Sequence, residues 1–281
     1  MDAQTITRRV LVVMLLAGFG ATAGRAQVPT NNLTLWLDAT SLSYLSDGAN
    51  VSVWSNKSTF VPHNMNQGTT GFQPTFQTGV VLGNPAVRFD GIDDYLQSGS
   101  QMLSNFITAA EYTMFSVFNT VAISTTNLTQ PWRNDGIVTD SSGFIGQLLQ
   151  GTNVIAYNWD GNADQVGVPV TTGKWTLAYS RHSGGSLFLR TNNGSDQQST
   201  LSGSTTSLTP WTLRVGSGNT ANNAFLDGDV AEVLIYNAVL SPSDESTVQE
   251  YLFAKYGVPE PSVVTLLVAT AFLLLRRRHS R

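Results

Sequence analysis

Asp227-Gly228-Asp229-Val230-Ala231-Glu232-Val233-Leu234-Ile235-Tyr236 opens on a turn dipeptide. It continues through Val230 to Tyr236, a run that is apolar on both faces apart from Glu232. A short apolar run bounded by turn residues reads as a strand covered on both sides. A single helix follows. Ser241 can cap it, Pro242 suits its first turn, and Asp244 stands three residues after the cap. Val248, Tyr251, Leu252 and Lys255 then share a stripe that Gly257 ends. Upstream the pattern is of shorter alternating runs. Leu33, Leu35 and Leu37 are expected on one face of a strand. Tyr112, Met114, Ser116 and Phe118 oppose Thr113, Phe115 and Val117, and Trp175, Leu177 and Tyr179 oppose Thr176, Ala178 and Ser180. Ser183-Gly184-Gly185 marks a turn, and Asn193-Gly194 reads as a tight hairpin. Many short strands with one short helix predict an all-β fold, an antiparallel two-sheet sandwich.

Composition excludes several functions. The 281 residues include no cysteine, which removes thiol catalysis, Cys-zinc sites and disulfides. Only 12% are charged and 41% are hydrophobic, so the chain has the means to build a core. Between residues 27 and 257 eight Lys and Arg face seventeen Asp and Glu, a net charge of −9. An acidic body without a basic patch is expected to bind no nucleic acid, and does not dock to an anionic polymer by charge alone.

The two ends read as addresses. Residues 1–26 have the order of a secretory signal peptide: Arg8 and Arg9, an apolar run from Val10 to Gly20, then small residues up to Ala26, with Ala23 as a second cleavage edge. At the other end Pro259-Glu260-Pro261 precedes an apolar run, Val263 to Leu275, and Arg276, Arg277 and Arg278. Those thirteen residues would rise about 20 Å as a helix, short of the roughly 30 Å of a bilayer core. A transmembrane helix there would be a weak anchor, with its arginines on the cytoplasmic side. Residues 258–281 resemble the PEP-CTERM sorting signal of Gram-negative bacteria. That resemblance implies an exosortase-type sorting protease as partner, transient membrane contact through the tail, and export to the cell envelope or the extracellular polymer.

Three segments of residues 27–257 are similar to the laminin-G-like group of the concanavalin A-like lectin/glucanase superfamily. They are Leu35-Trp36-Leu37-Asp38-Ala39 with Val51-Ser52-Val53-Trp54, then Asn84 to Leu96, then Asp227 to Tyr236 with the helix. The resemblance implies a jelly roll with one concave face, and glycan or protein binding as a tendency of the class.

Three constellations could carry chemistry. Asp227, Asp229 and Glu232 have a spacing close to the Glu-x-Asp-x-x-Glu strand of the superfamily's glucanases, and a glycoside hydrolase or lyase would use them. On a regular strand, however, Glu232 faces away from the other two. Only His63, His182 and His279 are available to a Ser-His-Asp triad, and no Gly-x-Ser-x-Gly elbow accompanies them. Asp90, Asp93 and Asp94 crowd a turn at Gly91 and offer hard oxygen ligands suited to Ca²⁺; the plainer reading has them capping the turn. Asp227 and Asp229 could add ligands from the far end of the chain. For sugar binding, Tyr157, Asn158, Trp159 and Asp160 combine rings with polar groups on one turn; Trp132, beside Arg133, Asn134 and Asp135, and Trp211 are further candidates. Trp36, Trp54 and Trp175 lie in strand patterns and are expected in the core. The expected function is an exported lectin-like protein binding a polysaccharide or glycoconjugate, or mediating matrix adhesion. A purely structural matrix protein is the other alternative to the hydrolase.

Overall fold

The computed structural model describes residues 27–61, 63–123, 134–159, 161–202, 208 and 210–258. The signal-peptide and sorting-tail expectations lie outside these residues. Among the described residues no helix is long and apolar enough to cross a membrane.

Sixteen strands are described: β1 (Leu33–Asp38), β2 (Val53–Trp54), β3 (Met65–Asn66), β4 (Thr75–Val81), β5 (Asn84–Asp90), β6 (Leu96–Met102), β7 (Tyr112–Ala122), β8 (Asp135–Asp140), β9 (Ile145–Gln150), β10 (Asn153–Trp159), β11 (Ala163–Pro169), β12 (Thr176–Ser183), β13 (Ser186–Thr191), β14 (Gln197–Thr200), β15 (Thr212–Val215) and β16 (Asp227–Tyr236). One sheet runs β14-β13-β12-β7-β16-β5-β4, with β1 paired to the C-terminal part of β16. The other runs β11-β10-β9-β8-β15-β6-β3-β2. Their inner faces meet over one apolar layer, to which the first sheet brings Leu37, Met114, Phe118 and Ile235 and the second Leu96, Leu149, Val154 and Val215. One polar clasp crosses this layer. Gln147 accepts from Ser116 Oγ at 2.6 Å and donates to Ser180 Oγ at 2.9 Å. These side chains are buried, so each depends on the others for its hydrogen bonds.

The helix α1 (Pro242–Tyr256) begins and ends as its sequence dictates. The Ser241 side chain accepts from the Asp244 N–H, and Gly257 adopts φ 61° as the C-cap. Val248, Tyr251, Leu252, Phe253 and Tyr256 pack on the outer face of the first sheet, against Phe115, Val117, Leu177, Tyr179, Leu234 and Tyr236. This second apolar layer is why β16 is apolar on both sides. Trp54 lies in the central core, while Trp36 and Trp175 are partly buried against the helix layer.

Two local expectations are corrected. Leu33 does not share a face with Leu35 and Leu37: the register of β1 shifts between Leu33 and Leu35, which sends Leu33 into the helix layer. Asn193-Gly194 is not a two-residue hairpin. The β13–β14 connection runs from Thr191 to Gln197, with Asn192 in the left-handed region and Gly194 closing a turn onto the Thr191 carbonyl. Ser183-Gly184-Gly185 does turn tightly, with both glycines at positive φ and Ser183 paired to Ser186.

Candidate functional site

The β16 carboxylates are brought to one face. A bulge between Val230 and Glu232 breaks the alternation, so Glu232 joins Asp227 and Asp229 on the outer side of the first sheet. Each is then bound differently. Glu232 is completely buried beneath α1. It accepts from Trp36 Nε1 (2.7 Å), Tyr251 OH (3.0 Å), Tyr256 OH (2.7 Å) and Lys255 Nζ (2.7 Å). Burial, aided by the Asp38 charge, raises its carboxyl, against the opposing Lys255 charge and the hydrogen bonds from Lys255 and Tyr256. Lys255 also pairs with Asp38 at 2.8 Å, as does Lys57, whose ammonium lies 3.9 Å from the centre of the Trp36 ring. Burial acts to raise the Asp38 carboxyl, but Lys255, Lys57 and Thr40 outweigh it and hold the group at about 2. A cleft of about 670 Å³ opens beside Trp36, Asp38 and Lys57, yet these side chains are already engaged with one another. Asp229 is held by both arms of Arg88, at 2.7 and 3.0 Å.

Asp227 belongs to a different group. It is the cross-strand partner of Asp90, and a Cβ on Gly91 would lie 2.7 Å from its own Cβ. Gly91, at φ 73°, is what lets the β5 turn close against β16. Within that turn one oxygen from each of Asp90, Asp93 and Asp94 lies within 4.8 Å of the others. Asp90 Oδ1 accepts from the N–H groups of Ile92 and Asp93, and Asp94 Oδ2 from the N–H of Asp90. The carboxylates thus cap the turn, as the plainer reading expected, and also converge. Burial, with Asp90 and Asp93 close by, raises Asp94 to about 6; Asp227 is raised as well, by burial and by Asp90 and Asp229.

Next to this turn lies a row that single-sequence reading missed. Asn66 on β3, Gln97 on β6 and Arg214 on β15 are register partners across three strands. Met65, Leu96, Leu213 and Val215 beside them point into the core, so the row points outward. Tyr95, directly after Asp94, stacks on Phe72 at 6.4 Å and lies tilted against buried Phe225 at 6.5 Å, and the Arg214 guanidinium lies 5.0 Å from its ring centre. Phe72 is 39% exposed. Amides, a guanidinium and aromatic faces therefore share one patch with the acidic turn at its border. The sequence signal was a polar residue between two buried ones, in Leu96-Gln97-Ser98 and Leu213-Arg214-Val215. Their adjacency is a matter of register, which periodicity does not specify.

The hairpin expected to bind sugar is placed otherwise. Tyr157 is fully buried with Leu148 and Ile155, and Asn158 is buried too, so neither offers surface to a ligand. Trp159 is half-buried, 5.8 Å from Phe144, which in turn meets the edge of half-buried Trp211 at 5.7 Å. Asn134 and Asp135 are buried. Asp160, Trp132 and Arg133 lie outside the described residues. His182 is buried, edge-on to Tyr112 at 5.7 Å.

No protein-family model matches the chain, and no curated protein does. Solved structures do resemble it. The binding domain of Paraclostridial Mosquitocidal Protein 1 superposes with TM-score 0.51 at 15% identity, over 80% of this chain and 52% of that one. The binding domain of botulinum neurotoxin serotype D gives 0.51 at 14% identity, over 82% and 54%. This chain thus spans about half the length of either. Domain 4 of an extracellular arabinanase from Geobacillus stearothermophilus, in complex with arabinotriose, gives 0.47 at 15% identity, over 78% of this chain and 98% of that domain. At such identities the likeness is one of fold, and the fold is an antiparallel β-sandwich.

Proposed function

We propose that residues 27–257 are an exported, non-catalytic, laminin-G-like sandwich that binds glycan through the outer face of its second sheet. The observation that carries this reading is the outward row Asn66–Gln97–Arg214 beside the Tyr95–Phe72–Phe225 rings. A sugar presents hydroxyls at its rim and C–H groups on its face, and needs polar partners and an aromatic surface together. A hydrolase built on Asp227, Asp229 and Glu232 is disfavoured, because Glu232 is sealed under α1 with four donors and Asp229 is held by Arg88. The proposal extends to Ca²⁺ at Asp90, Asp93 and Asp94, supported by their convergence, and to a place in the cell envelope or extracellular matrix. The two terminal segments support that address through a signal peptidase and an exosortase-type protease.

A glycan array probed with the mature domain, with and without a chelator, tests the reading. Binding that is lost in Tyr95→Ala with the fold intact is the expected result. Binding to no saccharide in either condition refutes it. Mass spectrometry of the surface form should find a C-terminus before Val263, and an intact Arg281 there refutes the sorting proposal.

A further inference from the structure

Arg214 is an anomaly of charge. Lys57, Arg88, Arg181, Arg190 and Lys255 each have a carboxylate oxygen in salt-bridge reach. Lys174 is exposed, where water compensates it. Arg214 is half-buried and has no carboxylate partner among the described residues. Its Nη1 makes three long contacts, to the Ser141 carbonyl (3.3 Å), the Gly218 carbonyl (3.4 Å) and Thr220 Oγ1 (3.3 Å). Among the described residues its Nε is enclosed without an acceptor, and Nη2 has no hydrogen-bond partner yet is not enclosed. Burial outweighs the favourable charges of Asp140 and Tyr95 nearby, so the guanidinium is only partly compensated, and the open Nη2 can still donate to a carboxylate oxygen.

Resting on the glycan-binding reading of the same face, we infer that Arg214 receives the carboxylate of an acidic sugar. The ligand class is then a sparsely carboxylated polysaccharide, with uronate units set among neutral sugars. The surroundings choose sparse over dense charge. The body carries a net −9, and the acidic turn of Asp90, Asp93 and Asp94 lies directly before Tyr95. That field repels a polyanion as a whole but is outweighed locally where one carboxylate meets one guanidinium. With the carboxylate at Nη2, Gln97 and Asn66 are the next groups along the row to meet ring hydroxyls, and Tyr95 and Phe72 offer the aromatic faces.

The test is calorimetric titration of the full domain with a uronate-containing polysaccharide and with the same polymer after carboxyl reduction, at pH 7. The acidic form should bind about tenfold to a hundredfold more tightly, the range of a charge-assisted hydrogen bond. Arg214→Gln should bind both forms as the wild type binds the reduced one, and Arg214→Lys should keep part of the preference. Equal binding of the two polymers by the wild type overturns the inference while leaving glycan binding intact. Binding of neither overturns the glycan reading itself. A densely sulfated polymer binding more tightly than the uronate polymer also overturns it. Should Arg214→Gln fail to fold, the wild-type comparison still decides.

Discussion

The outer face of the helix-bearing sheet and that of the second sheet hold similar side chains in opposite states. Under α1 the charged groups close on one another. Glu232 has four donors, Lys255 bridges it to Asp38, and Arg190 holds Asp196 at 2.6 Å and also pairs with Glu245. On the second sheet Arg214 has no carboxylate in salt-bridge reach among the described residues and Phe72 stands open beside Tyr95, while three aspartates converge in the β5–β6 turn at its border. A closed network holds a fold together, whereas an open one leaves free energy to be gained from a ligand. The contrast places Asp229 and Glu232 of β16 in the framework of the fold and supports the proposed recognition role of the β3–β6–β15 patch.

Breaking the closed side should have the largest effect. Lys255→Met leaves Glu232 and Asp38 buried without their shared cation, and removing one partner of a buried pair costs about 3–5 kcal/mol. Chemical denaturation should show that loss, with glycan affinity of the folded fraction unchanged. A loss below about 1 kcal/mol would mean the network contributes little. Acid should act on the same cluster. Asp38 is held below its unfolded value, so the stability it provides is present above the ordinary carboxylate range and is lost as pH falls from about 4 toward 2. Lys255→Met should flatten that acid limb. If Glu232→Gln abolished a hydrolase activity with the fold intact, the assignment of this face would be wrong.

How legible these faces were in the sequence depended on the range of the interaction. β16 and α1 were readable because apolar spacing, the Ser241 cap and Gly257 act within a few residues. The acidic turn was readable because Asp90, Asp93 and Asp94 are chain neighbours. The displacement of Leu33 and the rotation of Glu232 were not, since each follows from a bulge that depends on the partner strand. The same reason hid Asn66–Gln97–Arg214, three residues distant in the chain that only strand pairing aligns. Tyr157 misled because a ring beside polar residues looks alike whether its strand face is open or packed.

Sharpening the open side begins at Asp94. Its folded value of about 6 lies above the unfolded one, so the ionised group is unfavourable in the native state. Stability should therefore fall as pH rises from about 4 through 6, and Asp94→Asn should remove that slope. At pH 7 the variant should gain about 1–2 kcal/mol, because solvent around the turn screens part of the full shift. Ca²⁺ should relieve the same repulsion in the wild type. Millimolar Ca²⁺ is expected to raise Tm at pH 7.5 and less at pH 5, where Asp94 takes up a proton. A Tm indifferent to Ca²⁺ at pH 7.5 would leave the aspartates as turn caps alone.

The smallest effect on stability is expected where the open patch is most exposed, and it separates recognition from folding most cleanly. Phe72 keeps 39% of its surface in water and rests on Tyr95 at 6.4 Å, so its removal uncovers little buried area. Phe72→Ala should shift stability by no more than about 0.5 kcal/mol, the usual range for a surface substitution. If a sugar ring lies against these aromatics, its affinity should nonetheless drop several-fold, through faster dissociation, since the lost contact forms only after encounter. The two measurements move together in a structural patch and apart in a binding one. An affinity unchanged by Phe72→Ala would move the ligand away from these rings, toward Trp159 and Trp211 at the end of β10.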